Sequence, residues 1–202
     1  MALTAIWDTA YHIAIRRGKR PKAEMKKVNS RLNNVDLVVV RDSTKMFEMD
    51  GGHHDIEKTI EGEYSVDGSP SFSAILHSDS SDFAVGSDEP KILGGIGVHP
   101  SPLSYILYGV LACYANALAI QCSLKGLRLR RLKVKGTLSY DVGPMLTETV
   151  SPLIKGLKIE VDADKKIEEI VNLAKERCPG VYAIDHAIKT EIVQVKVSPK
   201  TI

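Results

Sequence analysis

The sequence predicts an α+β fold in which antiparallel β-sheet packs on two helices. Three observations support this prediction: a long uncharged segment, strand-like runs on both sides of it, and a second, amphipathic helical pattern near residue 170. The strands and helices do not alternate regularly enough for a parallel sheet built from β–α–β units. A chain of 202 residues with this composition fits one domain with room for a small appendage.

The uncharged segment runs from Gly94 to Leu124 and carries Cys113 near its centre. No Asp, Glu, Lys or Arg occurs between Lys91 and Lys125. A run this long and this apolar predicts a helix that is buried on nearly all sides. Its length also fits a membrane span, but its interspersed polar residues and tyrosines favour a core helix of a soluble protein.

The two ends of this helix carry recognisable signals. Ser101 suits the N-cap and Pro102 the first helical position, whereas Gly126 suits the C-cap. The preceding loop contains Gly94, Gly95 and Gly97, but it lacks the spacing of a phosphate-binding loop.

Strands are predicted before and after the central helix from runs rich in β-branched and aromatic residues. The earlier predicted strands are Asp36–Arg41, Lys45–Met49, Phe72–His77 and Phe83–Gly86. The later ones are Leu127–Val142, Leu153–Val161 and Ile188–Val197. The first of the later strands alternates apolar with basic residues, so we expect one apolar face and one strongly basic face.

A second amphipathic helix is predicted over Asp162–Arg177, with Asp162 or Asp164 as its cap. Cys178 continues the inner face of this helix, and Pro179 suits the first position of a new helical turn. Amide dipoles at the start of that turn would favour the thiolate of Cys178 and lower its pKa.

The roles of the cysteines are open at this point. Cys113 and Cys178 both lie on inner faces, so they either form a redox pair or are two buried structural thiols. Cys122 lies nine residues from Cys113 in the same helix, which places the two on opposite faces. Three widely spaced cysteines do not form a disulfide framework, and reduced thiols indicate a cytoplasmic protein.

The N-terminal part differs in character from the rest. Residues 3–17 show helical spacing, Asp8 interrupts any signal-peptide pattern, and Arg16–Arg31 is strongly basic. We predict a basic helical extension over residues 1–34 and the main domain over residues 35–202. The net charge of +2 argues against a chain-wide polyanion binder, and nucleic-acid binding by the basic stretch is disfavoured because no aromatic platform accompanies it.

A metal site is also disfavoured. The loop Gly51–Asp55 holds two adjacent histidines and an aspartate, but no third ligand stands at a recognisable spacing. We therefore expect no metal and no cofactor.

The segment from Ser87 to Leu118, SDEPKILGGIGVHPSPLSYILYGVLACYANAL, resembles the OsmC/Ohr family. In that family a Gly-Gly loop and a proline-containing turn open a long central helix with a cysteine part-way along. A second family cysteine follows as Cys-Pro at the end of the next long helix, and Cys178-Pro179 stands there, 65 residues after Cys113 (178 − 113). The resemblance covers roughly residues 37–197.

This resemblance implies an intertwined homodimer, with antiparallel sheets wrapped around paired central helices and active sites at the dimer interface. It implies a thiol-dependent peroxidase that reduces organic hydroperoxides in the oxidative stress response. Cys113 would be the peroxidatic cysteine and Cys178 the resolving one, with an external dithiol as reductant. Arg41 would take the place of the family arginine.

The chain departs from the family pattern at one position in particular. Hydroperoxidase members carry a glutamate one or two residues after the proline that opens the helix, where this chain has Leu103 and Ser104. It therefore resembles a divergent subgroup, and the alternative is a non-catalytic dimeric binding module for a small apolar ligand.

Overall fold

The structure is a computed structural model that describes residues 30–186 and 188–194. The helix predicted over residues 3–17 and nearly all of the basic stretch lie outside these residues. The described chain divides into two compact units, one with residues 30–31 and 36–105 and the other with residues 32–35, 106–186 and 188–194. The predicted boundary between residues 34 and 35 stays a prediction.

A helix, α1 (Leu37–Met49), follows two short strands, β1 (Arg31–Leu32) and β2 (Val35–Asp36). The two strands predicted over residues 36–41 and 45–49 were therefore wrong. The side chain of Asp36 accepts hydrogen bonds from the N–H groups of residues 38 and 39 and caps the helix. This local capping overrides the strand preference of the three consecutive valines.

The rest of the first unit is an antiparallel sheet of three strands in the order β3-β4-β5. Its strands are β3 (Gly62–Tyr64), β4 (Phe72–His77) and β5 (Asp82–Ser87). The last two confirm the strands predicted over these stretches. A single turn of 3₁₀-helix (Lys91–Leu93) then precedes the central helix.

The central helix, α2, spans Pro102–Leu124 and confirms both predicted ends. Gly126 has φ +70°, in the left-handed region that glycine adopts readily, and its N–H donates to the carbonyl of Ser123. The N–H of Leu127 donates to the carbonyl of Cys122 and completes the C-cap.

The core of the second unit lies along one stripe of α2, from Val110 to Cys122. The buried positions Val110, Tyr114, Leu118 and Cys122 recur at intervals of four along the helix. Their neighbours Ala117, Gln121 and Ser123 are buried as well. The prediction of a helix buried on nearly all sides was therefore wrong for the single chain, in which Ile106 and Tyr108 are 49% and 72% exposed.

By length and composition, α2 could cross a membrane, with a mean hydropathy of 1.6 over its most apolar 18 residues. Of that window, 22% is buried within the chain. A core helix of a soluble protein can have the same length and hydropathy as a membrane span.

Strands β6 (Leu132–Tyr140) and β7 (Ile154–Ala163) pair antiparallel and cover α2 from a second side. A β-carbon at Gly136 of β6 would lie 2.8 Å from Leu107 and 2.9 Å from Leu111, which shows how tightly the strand packs on the helix. The half-buried residues of β6 alternate with exposed ones, as the sequence pattern predicts.

The exposed side of β6 carries Lys133 and Lys135, as predicted for this strand, but the outer face of the whole sheet is not strongly basic. Acidic residues of β7 stand opposite the basic residues of β6: Lys133 pairs in register with Asp162, and Lys135 with Glu160. Arg131 makes an ion pair with Asp162. The sheet therefore presents mixed charge, because each basic position of one strand meets an acid on the other.

Two helices complete the second unit after the short helix α3 (Gly143–Leu146): α4 (Glu168–Glu176) and α5 (Pro179–Asp185). The second predicted helix is present, but it begins at Glu168 and not at Asp162. Asp162 belongs to strand β7, and the side chain of Asp164 accepts hydrogen bonds from the N–H groups of Arg130 and Arg131. The prediction of either aspartate as helix cap was wrong. Residues 188–194 form no strand, so that part of the predicted last strand was also wrong.

Candidate functional site

Cys113 lies half-buried on α2, at the edge of the buried stripe, and packs against the core of the second unit. It is a free thiol, as are Cys122 and Cys178. Cys113 follows Val110 by three residues and precedes Tyr114, both of which are buried. The thiol is therefore held by a rigid helix while remaining partly accessible.

Cys178 is 1% exposed and is the N-cap of α5, as its position before Pro179 predicts. Its sulfur accepts a hydrogen bond from the N–H of Val181 at 3.4 Å. The proline fits the first helical position because its fixed φ suits a helix and its missing N–H has no partner there. The chain thus places this thiol at the junction of α4 and α5, facing the core.

The structure places the start of α5, which has Cys178 as its N-cap, beside Cys113: a β-carbon at Gly180 would lie 3.3 Å from the sulfur of Cys113. The pKa of Cys178 is raised, first by burial and then by its interaction with the side chain of Cys113. The N–H groups of Val181 and Gly180 act in the opposite direction, but they do not outweigh burial. The expectation of a lowered pKa for Cys178 was therefore wrong: the predicted amide donors are present, yet desolvation of the charged form prevails.

Cys122 does not belong to this pair. It is fully buried in the core, and burial alone raises its pKa. Nine helical residues separate it from Cys113, a rise of about 13 Å along the helix axis. Its role is that of a small core residue.

Gly180 lies directly against Cys113. A β-carbon at position 180 would be 3.0 Å from Cβ and 3.3 Å from Sγ of Cys113, and 3.4 Å from Cα of Val110. Nothing in the sequence pattern singled out Gly180 as a site residue. The available signal was a glycine, a poor helix former, directly after the Cys-Pro pair.

Tyr114 fixes the helix that leads to Cys178. Its hydroxyl donates a hydrogen bond to the carbonyl of Val171 on α4 at 3.0 Å. Burial, and then the charge of Cys178, raises the pKa of Tyr114, so the phenol stays a donor at neutral pH. This contact could not be predicted from the sequence, because an apolar run does not reveal which tyrosine finds a polar partner.

Arg41 lies on α1 and is exposed. Its predicted position on a strand was wrong, and its role beside Cys113 stays a prediction. At the start of α2, Leu103 is half-buried, and the hydroxyls of Ser104 and Ser101 hydrogen-bond to each other at 3.0 Å. The first turn of α2 contains no acidic residue.

A second polar cluster lies in the first unit, around the buried Asp88. Its carboxylate accepts hydrogen bonds from the hydroxyl of Ser69 at 2.7 Å and from the N–H groups of Ser71, Val98 and His99. These hydrogen bonds hold the pKa of Asp88 well below its usual range, and the bond from the Ser69 hydroxyl has the largest effect. The backbone and ring of His99 and the amide of Ser71 also lower this pKa, whereas burial raises it.

The cluster contains a serine, a histidine and an aspartate, but it is not a catalytic triad. The Nδ1 atom of His99 lies 3.0 Å from Asp88 and 3.1 Å from Ser69. In a triad the serine and the aspartate meet different ring nitrogens, so that the ring can take the proton from serine. Here both meet the same nitrogen, and the cluster serves to hold the loop that leads to α2.

Metal binding finds no support in the part of the chain that the structure describes. No three histidine, cysteine, aspartate or glutamate side chains there are grouped so that they could hold a metal ion.

Comparison with known proteins adds the family to this geometry. Residues 94–193, which include both cysteines of the pair, match the family model described as OsmC-like protein. The chain belongs to the OsmC-like family over these residues. Comparison with curated proteins gave no match.

Similar solved structures include an OsmC-like protein from Mycoplasma pneumoniae, at 19% identity over 65% of this chain and 89% of that chain, with a TM-score of 0.49. They also include an organic hydroperoxide resistance protein OsmC from Legionella pneumophila, at 18% identity over 64% and 91%, with a TM-score of 0.49. The organic hydroperoxide resistance protein OhrB of Bacillus subtilis has 20% identity over 62% and 90%, with a TM-score of 0.40.

Proposed function

We propose that this protein is a thiol-dependent peroxidase that reduces organic hydroperoxides through Cys113 and Cys178. The observation that carries the proposal is the adjacency of the half-buried Cys113 and the buried Cys178 in the region that matches the OsmC-like family. A substrate can reach the partly accessible thiol of Cys113. The buried thiol of Cys178 can then react with the oxidised Cys113.

The chemistry proceeds in two steps. The sulfur of Cys113 attacks one oxygen of the hydroperoxide, the O–O bond breaks, and the leaving alkoxide takes a proton to become the alcohol. Cys113 is then a sulfenic acid. The sulfur of Cys178 attacks the sulfur of this acid, the S–S bond forms, the S–O bond breaks, and hydroxide leaves with the proton of Cys178 as water.

An external dithiol restores the pair. Its two thiols are oxidised to a disulfide as the Cys113–Cys178 bond is reduced, so that each turnover consumes one hydroperoxide and one dithiol. The raised pKa of Cys178 fits its place in the sequence of steps, because a protonated resolving thiol does not compete with Cys113 for the peroxide.

We further propose that the working unit is a cytoplasmic homodimer. The exposed apolar side chains of α2, Ile106 and Tyr108, support it, since a partner helix would cover them. Size-exclusion chromatography with light scattering tests this, and a monomer at micromolar concentration would contradict it.

The decisive experiment treats the reduced protein with cumene hydroperoxide and maps disulfides by mass spectrometry. We expect a Cys113–Cys178 bond and one equivalent of cumyl alcohol, with neither product in Cys113→Ser. Cys122→Ser is the matched control and should behave as the wild type. Unchanged peroxide consumption in Cys113→Ser would rule the proposal out.

A second candidate is a non-catalytic dimeric binding module for a small apolar ligand. It is favoured by Leu103 and Ser104, which stand where family hydroperoxidases carry a glutamate, and by the lack of any acidic residue in the first turn of α2. The same peroxide experiment separates the two, because a binding module would leave both cysteines reduced.

A further inference from the structure

The helix that begins at Pro179 meets α2 closely at position 180. A β-carbon there would be 3.0 Å from Cβ of Cys113, 3.3 Å from its sulfur and 3.4 Å from Cα of Val110. Ordinary contacts between carbon atoms lie at about 3.5–4.0 Å. A methyl group at this position would therefore require a shift of a few tenths of an ångström between the two helices, and a larger side chain would require more.

The surroundings leave little freedom for another relaxation. Val110 is 7% exposed and Val181 is 6% exposed, and both belong to the core of the second unit. The contact at Val110 is with its backbone, which cannot turn away as a flexible side chain can. The displacement would therefore fall on the start of α5, which carries Cys178 as its N-cap.

Gly180 also acts on Cys178 from the other side. Its N–H, together with that of Val181, donates toward the sulfur of Cys178. The same residue thus faces Cys113 on the side where a β-carbon would stand, and interacts with Cys178 through its amide. A shift of this one residue would alter the placement of the Cys178 sulfur relative to Cys113.

We infer that Gly180 is a positioning residue for disulfide formation, since its missing side chain lets the start of α5 approach α2 closely enough for Cys178 to reach Cys113. This inference rests on the proposed function and names the residue on which its second step depends. The step itself is the attack of the Cys178 sulfur on the sulfenic acid of Cys113, with release of water. The first step, at Cys113 alone, does not depend on the approach.

The test compares Gly180→Ala and Gly180→Val with Gly156→Ala, a matched control on β7 where a β-carbon meets nothing within 4 Å. Each reduced protein is mixed with cumene hydroperoxide, and aliquots are quenched with dimedone, which traps sulfenic acid, before mass spectrometry. We expect sulfenic acid to form at Cys113 within about twofold of the wild-type rate in every variant. A misplacement of about 1 Å can slow a reaction about a hundredfold, so we expect disulfide formation to slow at least about tenfold in Gly180→Val.

Disulfide formation should also slow in Gly180→Ala, but less than in Gly180→Val. Sulfinic acid should accumulate at Cys113 in both variants, because the sulfenic acid persists longer. Circular dichroism checks that each variant is folded, and the alanine variant decides the matter if the valine variant is not. Disulfide formation at the wild-type rate in Gly180→Ala and in any folded Gly180→Val would overturn the inference. Equal slowing of both steps would also overturn it, because it would indicate a general structural effect.

A second measurement separates this inference from the proposed function. The same proteins are equilibrated in buffers of reduced and oxidised glutathione, where glutathione disulfide is the oxidant and no peroxide is needed. We expect the equilibrium constant for the Cys113–Cys178 disulfide to fall at least about tenfold in Gly180→Val, and not in Gly156→Ala. If the wild type forms this disulfide with glutathione but not with peroxide, the proposed function fails and the role of Gly180 stands. An unchanged constant in both folded position-180 variants would contradict the role of Gly180.

Discussion

The hydroxyl of Tyr114 on α2 donates a hydrogen bond to the carbonyl of Val171 on α4, at 3.0 Å. Tyr114 is the residue after Cys113, and α4 leads directly into Cys178. The bond therefore joins the helix that carries Cys113 to the helix that leads into Cys178. Because Tyr114 is 4% exposed, the bond forms away from water, where losing it costs more than it would at the surface.

Tyr114→Phe removes this hydrogen bond while keeping the ring in the core. We expect the free energy of unfolding to fall by about 0.5–1.5 kcal/mol, as for other intramolecular hydrogen bonds. Urea unfolding followed by circular dichroism measures this. Tyr64→Phe on β3, where the tyrosine is 67% exposed, should change the free energy by less than about 0.5 kcal/mol. Equal stabilities of the two variants would contradict the importance of the bond.

The fold elements that the sequence predicted correctly were those with strong local signals. The central helix was predicted with both ends, because Pro102 and Gly126 mark its limits and no charge interrupts it. Strand β4 was predicted at its observed bounds from its β-branched and aromatic residues. Each prediction needed only information contained in the segment itself.

The errors came where a capping residue or a distant partner overrides the preference of a run. The valines before Arg41 look like a strand, yet the cap at Asp36 starts a helix. Asp162 looks like a helix cap, yet a strand partner and Arg131 hold it in the sheet. Within the site, the position of Cys178 could be predicted, but its burial could not, and burial decides the direction of its pKa.

The raised pKa of Cys178 predicts a loss of stability at alkaline pH. The folded protein holds the proton of Cys178 more tightly than the unfolded chain, whose cysteines titrate near pH 8.5. This contribution is fully present below about pH 8.5 and is lost as the pH rises through the higher folded value. Burial of Cys122 acts with the same sign.

We therefore expect the free energy of unfolding, measured in urea under reducing conditions, to decrease between about pH 8.5 and pH 10. Cys178→Ala should reduce the steepness of this decrease, because one of the two buried thiols no longer titrates. The comparison uses slopes against pH, since the substitution also removes buried volume. A slope unchanged from the wild type would show that Cys178 ionises as easily in the folded protein as in the unfolded chain.

The lowered pKa of Asp88 predicts a loss of folding stability at acid pH, opposite to the alkaline loss expected from Cys178. Its carboxylate is held by Ser69, Ser71 and the backbone and ring of His99, so its pKa lies below that of an unfolded aspartate. The stability it contributes is present above about pH 4 and is lost as the pH falls toward the folded value. Asp88→Asn should lower the melting temperature at pH 7 and flatten its fall between about pH 4 and pH 2.

Asp82→Asn is the matched control for Asp88→Asn, because Asp82 also pairs with a histidine, His77, at 2.7 Å but is 66% exposed. Exposed ion pairs contribute about 0–1 kcal/mol, so this variant should melt within a few degrees of the wild type. Differential scanning calorimetry across the acid range measures both proteins. Identical acid profiles for Asp88→Asn and the wild type would contradict the role of the buried carboxylate.

Ser104→Glu tests the feature by which this chain departs from the family hydroperoxidases. Ser104 is the third residue of α2, after Ser101 and the helix-opening Pro102, so a glutamate there would form the pattern of a capping box. A negative charge in this turn, which has none now, also interacts favourably with the helix dipole and should add about 0.3–1 kcal/mol to the free energy of unfolding. This gain does not depend on any catalytic role.

The catalytic consequence depends on Arg41. If the family's glutamate and arginine act together, Ser104→Glu should raise the rate at which cumene hydroperoxide oxidises Cys113, and Arg41→Ala should abolish that gain. Lys45→Ala, which removes a positive charge one turn further along α1, should leave the gain in place. A hydrogen bond between charged groups contributes about 1.5–3 kcal/mol, which corresponds to an effect of about tenfold or more on the rate. A stabilised Ser104→Glu protein that is oxidised at the wild-type rate would contradict a joint role of position 104 and Arg41.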